Sequence, residues 1–149
     1  MPPIYRYDLT VTEDMIDANG HVNNVEYVSW MQDAAVRHSE HSGATPAMKA
    51  IGAIWVARSH RIEYLKPAFG GDHVSVLTWI SGFRRVQYLL KYQVVRLEDD
   101  AVLARAESYY LFVDAKSGRL RSIPAEVSVA FDVLPVEKER ELLAAFMLR

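Results

Sequence analysis

Residues Tyr5 to Val11 alternate apolar and polar positions as a short strand does. Thr12-Glu13-Asp14 and then Asp17-Ala18-Asn19-Gly20 break that rhythm with turn-forming residues. From Asn24 to about Glu40, the polar residues Glu26, Ser29, Asp33, Arg37 and Glu40 recur every three or four positions and draw one narrow polar stripe on a helix. The remainder of its surface, Val25, Tyr27, Val28, Trp30, Met31, Ala34, Ala35 and Val36, is apolar or small. This helix is therefore expected to be largely enclosed by other structure, with an Asp33 to Arg37 pair on its exposed side. Gly43 and Pro46 close it, since glycine accepts a left-handed cap and proline cannot continue the turn. Four runs of period two follow, Ile54 to Leu65, His73 to Ser81, Val86 to Leu97 and Val102 to Val113, and their short links imply antiparallel neighbours. Val86, Tyr88, Leu90, Tyr92 and Val94 share one face of the third run, and Val102, Ala104, Ala106, Tyr110 and Phe112 one face of the fourth. A turn at Ser117-Gly118 leads to Ile123-Pro124, and from Val136 onward Leu142, Leu143, Phe146 and Met147 fall at helical spacing, a helix expected to pack outside.

Strand, loop, long apolar helix and four long strands make an α+β arrangement in which one helix lies against a curved sheet. A single sheet covers only one side of such a helix and leaves long edges, so a homodimer is expected. The 149 residues and 16.9 kDa fit one domain, 1–149, with neither repeats nor charge blocks. Seventeen Lys and Arg stand against nineteen Asp and Glu, which provides no bulk positive field to gather nucleic acid or an anionic membrane. Cysteine is absent, which removes thiolate nucleophiles, disulfides and thiolate metal sites and fits the cytoplasm. Neither a signal peptide nor an apolar span of eighteen residues is read, so no membrane partner is expected.

The chemistry concentrates in Asp17-Ala18-Asn19-Gly20-His21-Val22-Asn23-Asn24, where a carboxylate, an imidazole and three amides precede a helix start. Unpaired N–H groups and the positive end of the helix dipole there favour a developing oxyanion, and a carboxylate held over the same turn can act as nucleophile or as base for water. A plainer reading uses the same residues as punctuation, with Asn23 or Asn24 capping the helix and Asp17 and Asn19 making Asx turns. No Gly-x-Ser-x-Gly elbow offers a serine nucleophile. His38 and His41, three apart near the helix end, read as cap or dipole residues rather than metal ligands, and no metal is expected.

Asp17 to Tyr27 followed by an apolar helix resembles the signature segment of hotdog-fold thioesterases, the 4-hydroxybenzoyl-CoA, acyl-CoA and acyl-ACP thioesterase group. Arg61-Ile62-Glu63-Tyr64-Leu65-Lys66-Pro67-Ala68 and Gly71-Asp72 resemble the family's next landmark, and the order of elements agrees from about Tyr5 to Pro124. The resemblance implies a hotdog, a long central helix wrapped by a five-stranded antiparallel sheet, assembled as a homodimer or homotetramer with sites between protomers. It implies hydrolysis of an acyl-CoA or acyl-ACP thioester with no cofactor beyond the coenzyme A of the substrate. Asp17 matches the catalytic carboxylate, Asn19 and His21 match the Asn and His of the acyl-ACP branch, and Asn24 matches the residue whose backbone N–H polarises the thioester carbonyl. Arg84 and Arg85, in a turn between two strands, are the first candidates to hold the coenzyme A phosphates. Glu63 is read as a solvated strand residue. A hotdog hydratase or dehydratase and a non-catalytic acyl-binding module are the alternatives; the hydratase pattern departs here at Gly20 and in the four-residue step from Asp17 to His21.

Overall fold

The computed structural model describes residues 3–147. Five strands, β1 (Tyr5–Thr10), β2 (Ala53–Tyr64), β3 (His73–Phe83), β4 (Gln87–Arg96) and β5 (Ala101–Asp114), form one antiparallel sheet in the order β1-β3-β4-β5-β2. Its four long strands lie within two residues of the period-two runs at each end. Register shifts at Ala57/Ser59, Ile80/Gly82 and Val94/Val95 insert bulges that increase the local twist and bend the sheet into a trough. Inner-face residues Val74, Val76, Ile80, Tyr88, Leu90, Tyr92, Val94, Ala104 and Phe112 are buried.

Helix α1 (Asn24–Ser42) packs into the trough through Tyr27, Trp30, Met31, Ala34, Ala35 and His38. Asn23 caps it by accepting the Val25 N–H at 3.0 Å, and Gly43 ends it at φ +92°, a conformation that costs a side-chain-bearing residue about 1–2 kcal/mol. The expected near-complete enclosure is corrected. Val25 and Val36 are 68% and 56% exposed, because they lie with Ser29, Asp33 and Glu40 on the face of α1 turned away from the sheet. The expected Asp33 to Arg37 pair is replaced by the exposed Arg37 lying over the Tyr7 ring at 4.6 Å, where cation–π attraction compensates. His38 is no cap either. It is buried with its ring stacked on Tyr5 (5.4 Å between centroids, 12° between planes) and edge-on to Phe131 (5.2 Å).

Two short helices lie outside the expected pattern. α2 (Ala44–Ala50) begins directly after Gly43, with Pro46 in its first turn, where a missing N–H leaves no bond unmade. α3 (Ala125–Ser128) brings Val127 and Phe131 against the inner core. Helix α4 (Val136–Met147) lies on the outer face of the sheet, as its spacing implied. There Leu142, Leu143, Phe146 and Met147 cover Leu77, Trp79, Val95 and Leu134. Glu139 anchors it, accepting from Lys91 Nζ (2.9 Å) and Trp79 Nε1 (3.2 Å).

Candidate active site

The segment between β1 and α1 folds as a small hairpin against the end of β2. Ile16 bridges Val22, Asp17 N–H donates to the His21 carbonyl (2.9 Å), Gly20 turns the chain at φ +83°, and Asn23 N–H returns to Met15 (2.9 Å). Val22 N–H donates to Ala68 (2.9 Å), which ties the hairpin to the turn after β2. That turn is fixed by Arg96. Its guanidinium donates to the Pro67 carbonyl (3.0 Å), pairs with Asp72 (3.4 Å) and forks onto Asp99 (3.0 Å twice), while Asp72 accepts the Phe69 N–H at 2.9 Å. These charged partners raise the Arg96 pKa.

Of the plain roles foreseen for this segment two are present: Asp17 Oδ1 accepts the Asn19 N–H at 2.8 Å in an Asx turn, and Asn23 caps α1; the Asn19 side chain makes no such turn among the described residues. These two roles leave specific atoms over. Asp17 Oδ2 has no hydrogen-bond partner among the described residues. Asn23 takes the Val25 N–H with its side chain and the Glu26 N–H with its carbonyl (2.9 Å), so the Asn24 N–H is the first-turn donor of α1 without an acceptor among the described residues.

A cavity of about 200 Å³ opens at this helix start, lined by His21, Asn24, Tyr27, Tyr64, Lys66 and Pro67 among others. His21 stands edge-on to Phe69 (5.9 Å). Tyr64 Oη donates to the Asn24 carbonyl at 2.9 Å across 40 residues of sequence, and its ring meets that of Tyr27 at 90° and 5.1 Å. Burial pushes the Tyr27 pKa up to about 12 and raises that of Tyr64, so both hydroxyls stay protonated. The structure thus brings His21 and Asn24 to one cavity. Asp17 and Asn19 occupy the adjoining turn outside its lining, Asp17 half-buried and Asn19 exposed.

Arg84 and Arg85 stand apart from these. They follow β3, whose first residue adjoins the Asp72 turn, and eleven residues at about 3.3 Å each carry the chain about 35 Å to the opposite end of the sheet. Arg85 Nη1 reaches Ser122 Oγ at 3.4 Å, whereas Arg84 shares an open cavity with Arg58, Gln87 and Tyr109. Glu63 is exposed on the outer face. No group of three or more His, Cys, Asp and Glu positioned for a metal occurs among the described residues, nor any helix long and apolar enough to cross a membrane. Sequence reasoning missed Tyr64 and Arg96. Tyr64 lay within a recognised landmark and Arg96 at the end of the third strand run, but Asn24, Pro67 and Asp72, which they hold, are tertiary neighbours that no spacing rule supplies.

A helix laid in a five-stranded antiparallel trough of this order is the hotdog architecture. The sequence profile of the thioesterase-like superfamily matches residues 10–131, and the chain belongs to that superfamily. The L-carnitine dehydrogenase/betainyl-CoA thioesterase of Agrobacterium fabrum is 26% identical over 141 residues, covering 94% of this chain and 29% of its own length. A chloroplastic palmitoyl-acyl carrier protein thioesterase of Gossypium hirsutum is 30% identical over 104 residues, covering 65% of this chain and 25% of its own. The chain therefore spans less than a third of either relative. Among solved structures, a 1,4-dihydroxy-2-naphthoyl-CoA thioesterase from Synechocystis superposes with a TM-score of 0.75 at 17% identity, over 85% of this chain and 94% of that one.

Proposed function

We propose that the protein hydrolyses acyl-CoA or acyl-ACP thioesters to a free acid and a thiol. The observation that carries this reading is the unpaired Asn24 N–H at the start of α1, on the wall of a cavity that also holds His21. A carbonyl oxygen seated there gains a backbone donor and the positive end of the helix dipole, and gains more as it becomes an oxyanion. Asp17 supplies the carboxylate, as base for water or as nucleophile, with Asn19 N–H fixing one of its oxygens and the other left for chemistry. His21 and Asn19 position the water or carbonyl. Thiolate departs without a strong acid, so this sparse equipment suffices and no cofactor is needed.

The active assembly is a homodimer or a tetramer built from it. Strand β2 is an edge twelve residues long, with Ile54, Val56 and Tyr64 each more than 40% exposed, and Val25 and Val36 of α1 lie bare as well. Antiparallel pairing of two β2 edges sets the Ala53 end of one protomer opposite the Tyr64 end of its partner and brings Arg58, at the middle of the strand, with Arg84 next to it, close to the twofold axis, about 18 Å along the strand from the partner's Tyr64. Arg84, with Arg85 behind it, is thereby offered to the phosphates of a coenzyme A whose thioester sits at the other protomer's Asn24. Thiol release from a panel of acyl-CoAs, run beside hydration of crotonyl-CoA and light scattering, tests the reading. Thiol release from a dimer or larger assembly is expected. Water addition without thiol release would make the protein a hydratase, and a fully active monomer would remove the shared site.

A further inference from the structure

The inner face of β2 continues from the cavity wall. Tyr64, Ile62 and His60 alternate onto that face, and His60 lies four residues from Tyr64, about 13 Å along the strand. Beyond the first turn of α1, whose Tyr27 meets Tyr64, the helix packs chiefly toward β1 and β3, and this stretch of β2 is only partly covered: Ile62 and His60 are half-buried and Tyr64 is 41% exposed. A tail attached to a carbonyl at Asn24 and running down the trough meets Ile62 first and then His60.

At that depth the trough is polar. His60 Nδ1 and Ser108 Oγ are 2.6 Å apart, Ser108 is fully buried, and the ring edge of His60 faces Tyr110. The Tyr92 hydroxyl is buried beside Ser108 and Tyr110 without a well-formed hydrogen bond among the described residues. An imidazole and three hydroxyls on the inner face of a hydrophobic trough cost stability unless they are used, because each poorly paired polar group loses its hydration for little return. An alkyl chain laid against them would leave that cost in place.

We infer that His60, with Ser108 behind it, forms a polar subsite for the far part of the acyl group, and that the preferred substrates are medium-length acyl thioesters carrying a neutral hydroxyl. Ser108 fixes the ring through Nδ1 and leaves Nε2 with no partner among the described residues. A hydroxyl both donates and accepts, so it satisfies Nε2 in either tautomer, which a keto oxygen does not. Burial lowers the His60 pKa and keeps the ring neutral at pH 7, against pairing with a carboxylate tail. Tyr110 and the buried Tyr92 are the other titratable groups facing it, and burial holds both in their neutral form. Edge pairing of β2 uses its backbone and leaves these side chains in the trough.

This inference rests on the thioesterase reading for its substrate, and the test separates the two. Octanoyl-, decanoyl- and dodecanoyl-CoA are compared with their ω-hydroxy counterparts by thiol release and by calorimetric binding, for wild type, His60→Leu and Ser108→Ala, with thermal unfolding confirming that each variant is folded. One hydrogen bond predicts a preference of about tenfold in kcat/KM for the hydroxylated acyl group at one of these lengths, abolished in His60→Leu and weakened in Ser108→Ala. A wild type without that preference at any length, or a preference unchanged in His60→Leu, overturns the subsite while leaving hydrolysis intact. Binding that shows the His60-dependent preference without thiol release overturns hydrolysis and keeps the subsite.

Discussion

His38 makes the pH dependence of folding calculable. Its ring is 3% exposed, stacked on Tyr5 and capped edge-on by Phe131, with Nδ1 unpartnered. Burial, reinforced by the nearby His41, lowers its pKa from 6.5 to about 4. The unfolded chain therefore binds a proton between these values that the folded chain refuses, and stability rises with pH through that window. The contribution is fully present above pH 6.5 and is lost as the pH falls toward 4. At 1.36 kcal/mol per pH unit over about 2.5 units, it amounts to about 3 kcal/mol. Urea unfolding of wild type and His38→Leu at intervals from pH 7.5 to 4 isolates it, because carboxylates and His60 contribute equally to both curves. The difference between the two proteins should move by about 3 kcal/mol in favour of the variant on acidification. Parallel curves would falsify the burial argument and mean that the ring is hydrated or paired.

Three further outcomes concern the walls of the site. Asn23→Ala removes the cap of α1 and should cost about 1 kcal/mol of urea stability. It should also lower kcat, since the Val25 N–H then competes with Asn24 for the carbonyl oxygen; an unchanged urea midpoint would show that water replaces the cap. Tyr64→Phe breaks the bond to the Asn24 carbonyl, with an expected loss of about 1 kcal/mol in stability and a fall in kcat/KM, measured by unfolding and thiol release together. Arg96→Met releases the Pro67 carbonyl, Asp72 and Asp99 at once, should cost about 2–3 kcal/mol and should raise KM more than Tyr64→Phe does, because the turn that holds Val22 loosens.

The sheet was legible in the sequence because β5 and the first half of β4 alternate a buried face with a wetter one; β3 is buried on both faces from Val74 to Ile80, where α4 covers the outer side, and it was readable because Ser75, Thr78 and Ser81 still break up its apolar residues. α1 was legible as a helix but not in its environment. Val25 and Val36 read as core, and only the fold reveals that they lie on the face turned away from the sheet. α2 and α3 are too short for a period to establish itself, and α2 hides behind Gly43 and Pro46, which read as a stop. Within the candidate site, the local segment from Asp17 to Asn24 could be read as one unit because its residues are adjacent. Tyr64 on Asn24, Arg96 on the Pro67 carbonyl and His60 on Ser108 join positions 29 to 48 residues apart; the last follows from strand register and the other two only from how the elements pack.

The proposal of thioester hydrolysis depends on one carboxylate acting beside one helix start. Its most direct test is the turnover number for thiol release by Asp17→Asn, a substitution that keeps the side-chain oxygen able to accept the Asn19 N–H. A fall of about 10²–10⁴-fold in kcat with KM little changed is the expected result. A variant that turns over acyl-CoA at the wild-type rate would contradict the assignment of Asp17 and with it the mechanism.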